Sequence, residues 1–353
     1  MTSTMTDNRT TDTTLMPAAQ AEALVHSLYQ GILGRPADPV GLAHWCALLQ
    51  AGAPVAEVVN ALAGSDECRQ RLARAGQLQQ LQQHLRQHAP ALLQRALTIV
   101  DIGAQELEDE QHIYAPLTQQ LPYRVIGFEP LQDKIDAALA RHPDAPLTLY
   151  PTFIGDGQAH TFHINNYDAT SSLLPLNQTL TAQLVDLSQL ATIKTEAVST
   201  STLDSVLAET PRVDFLKLDI QGFEMPVLEH ASAVLQRTNV IHCEVSFAPI
   251  YAQQALFSQV ESLLRAAGFD FIDFSSECRY AYHNTTQLQG RDRLGWGDAI
   301  FFRRAELITD HNDLLAQSLI ALLVYGKATL AARLAEQAEA LGASGLAALF
   351  SSN

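Results

Sequence analysis

Lys217-Leu218-Asp219-Ile220-Gln221-Gly222-Phe223-Glu224 puts a cation and two acids within eight residues. Along an extended strand, side chains alternate, so Lys217 and Asp219 share one side and Leu218 takes the other. Charges on an otherwise apolar strand are costly to bury without partners. The group is either an ion pair that only holds the fold, Lys217–Asp219 or Lys217–Glu224, or a base with its cation at a ligand-binding edge. A second stretch, Val240-Ile241-His242-Cys243-Glu244-Val245, sets His242 and Glu244 on one face, with Glu244 at the end. Glu244 is a second candidate base; His242 is either a satisfied core histidine or a weaker candidate.

Three further strand ends carry ligand-binding signals. Val100-Asp101-Ile102-Gly103-Ala104 ends in a glycine that lets the backbone turn tightly beside a ligand. Glu129, in Phe128-Glu129-Pro130, follows 26 residues later, where an acid can accept both ribose hydroxyls of an adenosine. Ile154-Gly155-Asp156-Gly157 is either an ordinary Asp-Gly turn or a site where Asp156 accepts an adenine amino group. The nicotinamide fingerprint G-x-G-x-x-G is absent, because Gly103 leads into Ala104, Gln105 and Glu106. A nicotinamide-dependent oxidoreductase is therefore disfavoured.

The elements that must hold these residues alternate between short β-branched runs and helical stretches. Strands are expected at 98–103, 124–129, 147–153, 213–219, 239–245, 269–274 and 299–303, with helices over 133–141, 224–235 and 253–267. This alternation argues an α/β domain over 98–304, a mostly parallel sheet that binds ligands at the carboxyl ends of its strands. Residues 1–17 read as a disordered tail. Residues 18–75 read as a small helical domain, with Asp38-Pro39 opening one helix and Ser65 capping another. A linker helix is expected over 76–97. His84 and His88 lie one turn apart in it, without a third metal ligand nearby. The C-terminal extension, 305–353, reads as a helical hairpin whose leucine stripe from Leu314 packs on the main domain or on a second copy.

The chain has 353 residues, 47% of them hydrophobic, and a formal net charge of −16. It can bury a sizeable core. Its charge argues against nucleic acid and against an anionic membrane surface as partners. Four cysteines stand far apart without a C-x-x-C pair, which fits a reducing, cytoplasmic setting. The most apolar stretch, 314–325, is too short to span a bilayer.

The ordered set Asp101-Ile-Gly-Ala, Phe128-Glu-Pro, Thr202-Leu-Asp204, Lys217-Leu-Asp-Ile-Gln-Gly-Phe-Glu224, Glu244 and Asp298-Ala-Ile-Phe-Phe302 resembles the FkbM family of S-adenosylmethionine-dependent methyltransferases. Ser171-Ser172-Leu173 is similar to that family's serine pair. The resemblance implies a Rossmann-like seven-stranded sheet whose last strand is antiparallel, and O-methylation of a sugar, polysaccharide unit or related hydroxyl. It implies that Asp101, Gly103, Ala104, Gln105, Glu129, Pro130, Gly155, Asp156 and Asp219 bind the cofactor. Asp219, Glu244 and Lys217 would carry the chemistry, Ser171, Ser172 and His242 would face the acceptor, and no metal is expected. The sequence departs from the family in the loop after Ala104, where Gln105 and the acids of 106–110 stand; those acids could hold the cofactor's ammonium group. Metal-assisted transfer and a catalytically silent binding protein stay open beside this reading. Separately, Tyr29 through Asp38, Gly41-Leu42, Trp45 and Ser65-Asp66-Glu67 resemble a bacterial domain of unknown function related to the phycobilisome linker repeat. That resemblance implies a helical accessory module without catalysis.

Overall fold

The computed structural model describes residues 15–104, 111–119, 121–286, 288, 290–343, 345 and 350. The chain divides into two units, Met1–Leu81 and Gln82–Asn353.

The first unit is helical. Helix α1 (Ala18–Leu28) runs into a π-helical turn, Tyr29–Leu33, closed by Gly34 at φ 72°. Helix α2 (Pro39–Gln50) starts as its sequence dictates: the Asp38 side chain accepts from the Gly41 N–H, and Pro39 has no N–H to leave unpaired. Helix α3 (Val55–Ala63) contributes Val58 and Leu62 to a core shared with Val25, Tyr29, Leu33 and Leu49. Met16 packs against that core, so the tail expected over 1–17 is ordered at its end; residues 1–14 lie outside the described residues. Helix α4 (Asp66–Leu92) is continuous from this unit into the next. It merges the helix capped by Ser65 with the linker helix expected as a separate element from 76. Gly76 does not break it, because one glycine among strong helix formers costs only about 1 kcal/mol.

The second unit is built on a seven-stranded sheet. In chain order come β1 (Leu97–Ile102), β2 (Tyr123–Phe128), helix α5 (Gln132–Arg141), β3 (Leu147–Tyr150), β4 (Phe153–Ile154), β5 (Ala159–Asn165) and β6 (Thr192–Ser201). Then follow β7 (Val213–Leu218), helix α6 (Glu224–Glu229), β8 (Thr238–Ser246), helix α7 (Phe257–Ala266), β9 (Phe269–Tyr280) and β10 (Arg293–Arg303). The strand order is β3-β2-β1-β7-β8-β10-β9, with β10 antiparallel to both its neighbours. Every residue of β1 and β8 is buried, as continuous apolar strands in a doubly covered sheet must be. The register aligns Asp101 with Lys217, Lys217 with His242, and Glu244 with Asp298. These charged residues therefore share one face of adjacent strands, since a one-residue slip would send each to the opposite face.

Five strands depart from the sequence expectation. β5 and β6 pair with each other, and β4, which begins at the end of the strand expected over 147–153, joins β6 to make a separate three-stranded sheet. β6 exposes nearly every side chain, so no apolar alternation announced it. β9 and β10 also run further than 269–274 and 299–303, as an antiparallel ribbon with half-exposed outer ends.

The C-terminal extension forms helices α8 (His311–Leu323) and α9 (Ala328–Ala340). α8 is buried throughout from Leu314 to Leu323, Gln317 and Ser318 included. Gln317 Nε2 donates to the Asn239 and Arg303 carbonyls at 2.9 Å, and Ser318 donates to the Ala331 carbonyl. The leucine stripe thus covers the protein's own sheet, and the expected role of that stripe in joining a second copy is not supported. At the same edge, Arg95 grips buried Asp214 through two bonds and reaches Asp313 at 2.8 Å. Among the described residues, no helix is long and apolar enough to cross a membrane.

Candidate active site

The carboxyl ends of β1, β2 and β7 open on a cavity of about 710 Å³. Its lining includes Gly103, Phe128, Glu129 and Pro130, and also Gln189, Tyr280 and Trp296. Asp219, Gln221 and Glu244 lie on the same lining, with Ser171 and Ser172.

Gly103 sits at φ 79°, and a Cβ there would lie 2.0 Å from the Asp219 backbone oxygen. Only glycine lets the ends of β1 and β7 close this tightly. Lys217 anchors the crossing. Its Nζ lies 3.3 Å from Asp101 Oδ1 and 3.6 Å from Asp219 Oδ2, and it donates to the Gly103 carbonyl at 3.4 Å. Burial opposes the ammonium charge, but the two acids outweigh it and raise the Lys217 pKa. Asp101 is fully buried and accepts from the Tyr114 hydroxyl at 2.9 Å.

Asp219 and Glu244 differ in protonation. Burial works against ionisation of Asp219, yet Lys217, a hydrogen bond with Glu244 and the Gln221 amide hold its pKa below the usual range. Its side chain is 38% exposed. Glu244 is 7% exposed, and burial, followed by the neighbouring charges of Asp219 and Glu224, pushes its pKa well up. Of the two acids, Asp219 is the more readily ionised and Glu244 the one that holds a proton more firmly. Glu224 is no partner of Lys217: it accepts from the Ile220 and Gly222 N–H groups and fixes the turn after β7. Burial raises its pKa to about 7.

The remaining candidates separate by position. Glu129 is 5% exposed and accepts from the Leu131 N–H at 2.9 Å. Burial lifts its pKa, and a pair of hydroxyl donors would favour its charged form. Asp156 is not on the cavity lining: its Oδ1 accepts from the Gln158 N–H at 2.9 Å and lies 2.8 Å from Nε2 of His160 on β5. Gly155 packs on Thr200 and is likewise off that lining. Ala104 is buried beside Gly127 and likewise lies off the cavity lining. Gln105 and the acids of 106–110 lie outside the described residues.

His242 is not on the cavity lining either. Its Nδ1 lies 3.1 Å from the Tyr325 hydroxyl, and its Nε2 lies 3.8 Å from Asp298. It is a core histidine tied to the C-terminal extension. Burial, helped by Lys217, lowers its pKa to about 4. An unfolded histidine binds its proton near pH 6.5, so between about 6.5 and 4 the unfolded chain holds more protons and stability falls as pH falls. The loss should reach about 3 kcal/mol by pH 4. Urea unfolding across that window should show His242→Gln lacking this part of the slope.

Gln221, Asp298, Tyr280 and Trp296 were not singled out as site residues from sequence. Gln221 had a usable signal, its place between a charged strand end and Gly222. Asp298 had one in standing opposite Glu244, which only the register reveals.

Residues 101–271 match the methyltransferase FkbM domain over the strands that carry this site. The chain carries a methyltransferase FkbM domain. S-adenosylmethionine-dependent methyl transfer is the activity of that domain. Residues 11–72 match a domain of unknown function, DUF4214. Among curated proteins, none matches this chain. A solved precorrin-6y C5,15-methyltransferase from Geobacter metallireducens GS-15 is 13% identical over 63% of this chain and 89% of its own, with a TM-score of 0.31. A TehB-like SAM-dependent methyltransferase from Corynebacterium glutamicum is 12% identical over 63% of this chain and 88% of its own, with a TM-score of 0.29.

The FkbM domain's residues fit the cofactor. The tight Gly103 turn, the free edge of the Glu129 carboxylate and the adjoining cavity form one continuous surface. A cavity of this size is ordinary for a cofactor or drug-sized ligand.

Proposed function

We propose that the FkbM domain methylates a hydroxyl of a sugar, polysaccharide unit or related small molecule. The observation that carries this reading is a part-exposed Asp219 on the cavity lining, held at one oxygen by Gln221 and 3.6 Å from the Lys217 ammonium at the other. When bound, S-adenosylmethionine supplies a methyl group on a positively charged sulfur. Glu129 would hold its ribose hydroxyls, and Gly103 would let the chain pass close beneath it. Asp219 would take the proton of the acceptor hydroxyl, worth about 10²–10⁴-fold. Lys217 keeps Asp219 ionised from below. Holding the acceptor oxygen in line could supply about 7–11 kcal/mol more.

Other parts of the lining support a hydroxyl-rich acceptor. Trp296 would offer an apolar ring and Gln189 a side-chain amide. Ser171 would join them; its Oγ accepts from the Asn165 N–H and lies on the lining. All four cysteines are free, in keeping with a cytoplasmic setting.

The test is a melting curve with S-adenosylhomocysteine. At 100 times its dissociation constant it should stabilise the protein by about 2.7 kcal/mol. Glu129→Ala should fold and lose about 1.5–3 kcal/mol of that affinity, the worth of a hydrogen bond to a charged group. No shift in the wild type would favour the silent-binding alternative. An undiminished shift in the variant would remove Glu129 from the site.

A further inference from the structure

Gln221 touches both acids of the pair. Its Nε2 donates to Asp219 Oδ1 and to Glu244 Oε2, each at 3.0 Å. Its backbone has φ 57°, a left-handed conformation that side chains other than glycine's avoid. Such a conformation persists only where the surroundings enforce it. Here the Ser172 hydroxyl donates to the Gln221 carbonyl at 2.6 Å. Glu224 pins the N–H groups on either side, those of Ile220 and Gly222. The fully buried Tyr251 has its hydroxyl 3.0 Å from Gln221 Oε1 and 2.8 Å from the Thr170 carbonyl. That hydroxyl is a donor shared by two carbonyl oxygens, which turns the amide oxygen toward Tyr251 and the amide nitrogen toward the acids.

We propose that Gln221, oriented by Tyr251, is a positioning residue that holds Asp219 and Glu244 as a pair carrying one proton, with the ionised member facing the acceptor. The proposal rests on the reading of Asp219 as the base. Two carboxyl groups this close do not both ionise readily, and their proton belongs to the pair. An N–H aimed at each oxygen favours the charged form and limits the pair to one proton at working pH. Other groups also face it: Lys217 on β7, Glu224 at the start of α6, His242 on β8, Tyr280 on β9 and Asp298 on β10. Lys217 decides which acid is ionised, and Gln221 decides how readily a second proton is taken up. Without the Tyr251 hydroxyl the amide can turn its oxygen onto the acids, and proton uptake at Asp219 becomes easier.

The experiment follows the Asp219 carboxyl itself in the full chain, labelled with ¹³C at aspartate carboxyls and saturated with S-adenosylhomocysteine. Aspartate labelling keeps Glu224 out of the readout, and Asp219→Asn assigns the resonance. In Tyr251→Phe and in Gln221→Ala the Asp219 titration should move up by about one pH unit or more, the worth of a lost charged hydrogen bond. Affinity for S-adenosylhomocysteine should stay within about threefold, because the ribose end is untouched. Where an acceptor is turned over, the acid limb of the rate profile should move in step. A wild-type titration in Gln221→Ala overturns the proposal even if methyl transfer is found. A shifted titration in a protein that methylates no hydroxyl acceptor upholds the positioning role and sinks the reading of Asp219 as a base.

Discussion

Asp219→Asn is expected to bind S-adenosylhomocysteine almost as tightly as the wild type and to lose about 10²–10⁴-fold in methyl transfer. The side chain keeps its shape, but its single oxygen can serve only one of Gln221 and Lys217, and the group no longer accepts a proton. Lys217 retains Asp101 at 3.3 Å, which keeps its buried ammonium paired and the fold intact. Calorimetry with S-adenosylhomocysteine and transfer from labelled S-adenosylmethionine to a panel of hydroxyl acceptors measure the two halves separately. Glu244→Gln should behave differently. Burial and the neighbouring acids favour the neutral form of Glu244, which the amide copies, so the loss should be smaller than for Asp219→Asn. Equal losses in the two variants would mean that the proton passes through Glu244. Full turnover in Asp219→Asn would move the base elsewhere on the cavity lining.

The sheet was legible in the sequence because its inner strands, β1, β7 and β8, are buried on both faces and read as largely apolar runs between helical stretches. All seven strands of the main sheet stand where those runs fall. The charged strand ends were legible for the same reason: Lys217, Asp219 and Glu244 interrupt apolar strands and have to be partnered. What remained hidden depended on tertiary packing. β5 and β6 carry polar residues on both faces, so neither period marks them. Asp156 reads equally as a ligand or as a turn, and its contact with His160 could not be read from the sequence. His242 shares a face with Glu244, yet Tyr325 from the far end of the chain claims it. The leucine stripe of α8 announces an apolar face without saying what covers it. Gln221 has no charge and stood out least, although it joins the two acids that did.

Gly103→Ala is expected to be the most damaging single-methyl change in the domain. The added Cβ would lie 2.0 Å from the Asp219 backbone oxygen, and a backbone atom cannot swing aside as a long side chain can. The φ of 79° adds about 1–2 kcal/mol for a residue with a Cβ, and overpacking adds about 1–3 kcal/mol. Relief requires the ends of β1 and β7 to part, which pulls Asp219 from Lys217 and shifts the turn beside Glu129. The variant should therefore lose about 2–5 kcal/mol of stability in urea unfolding and, where folded, most of its affinity for S-adenosylhomocysteine. Gly155→Ala gives the contrast. Its Cβ would meet the Thr200 side chain at 2.8 Å, a contact away from the cavity lining. It should cost stability while leaving S-adenosylhomocysteine affinity close to the wild type. If Gly103→Ala binds S-adenosylhomocysteine normally, the crossing of β1 and β7 does not shape the cofactor's place, and the fit argued from that turn fails.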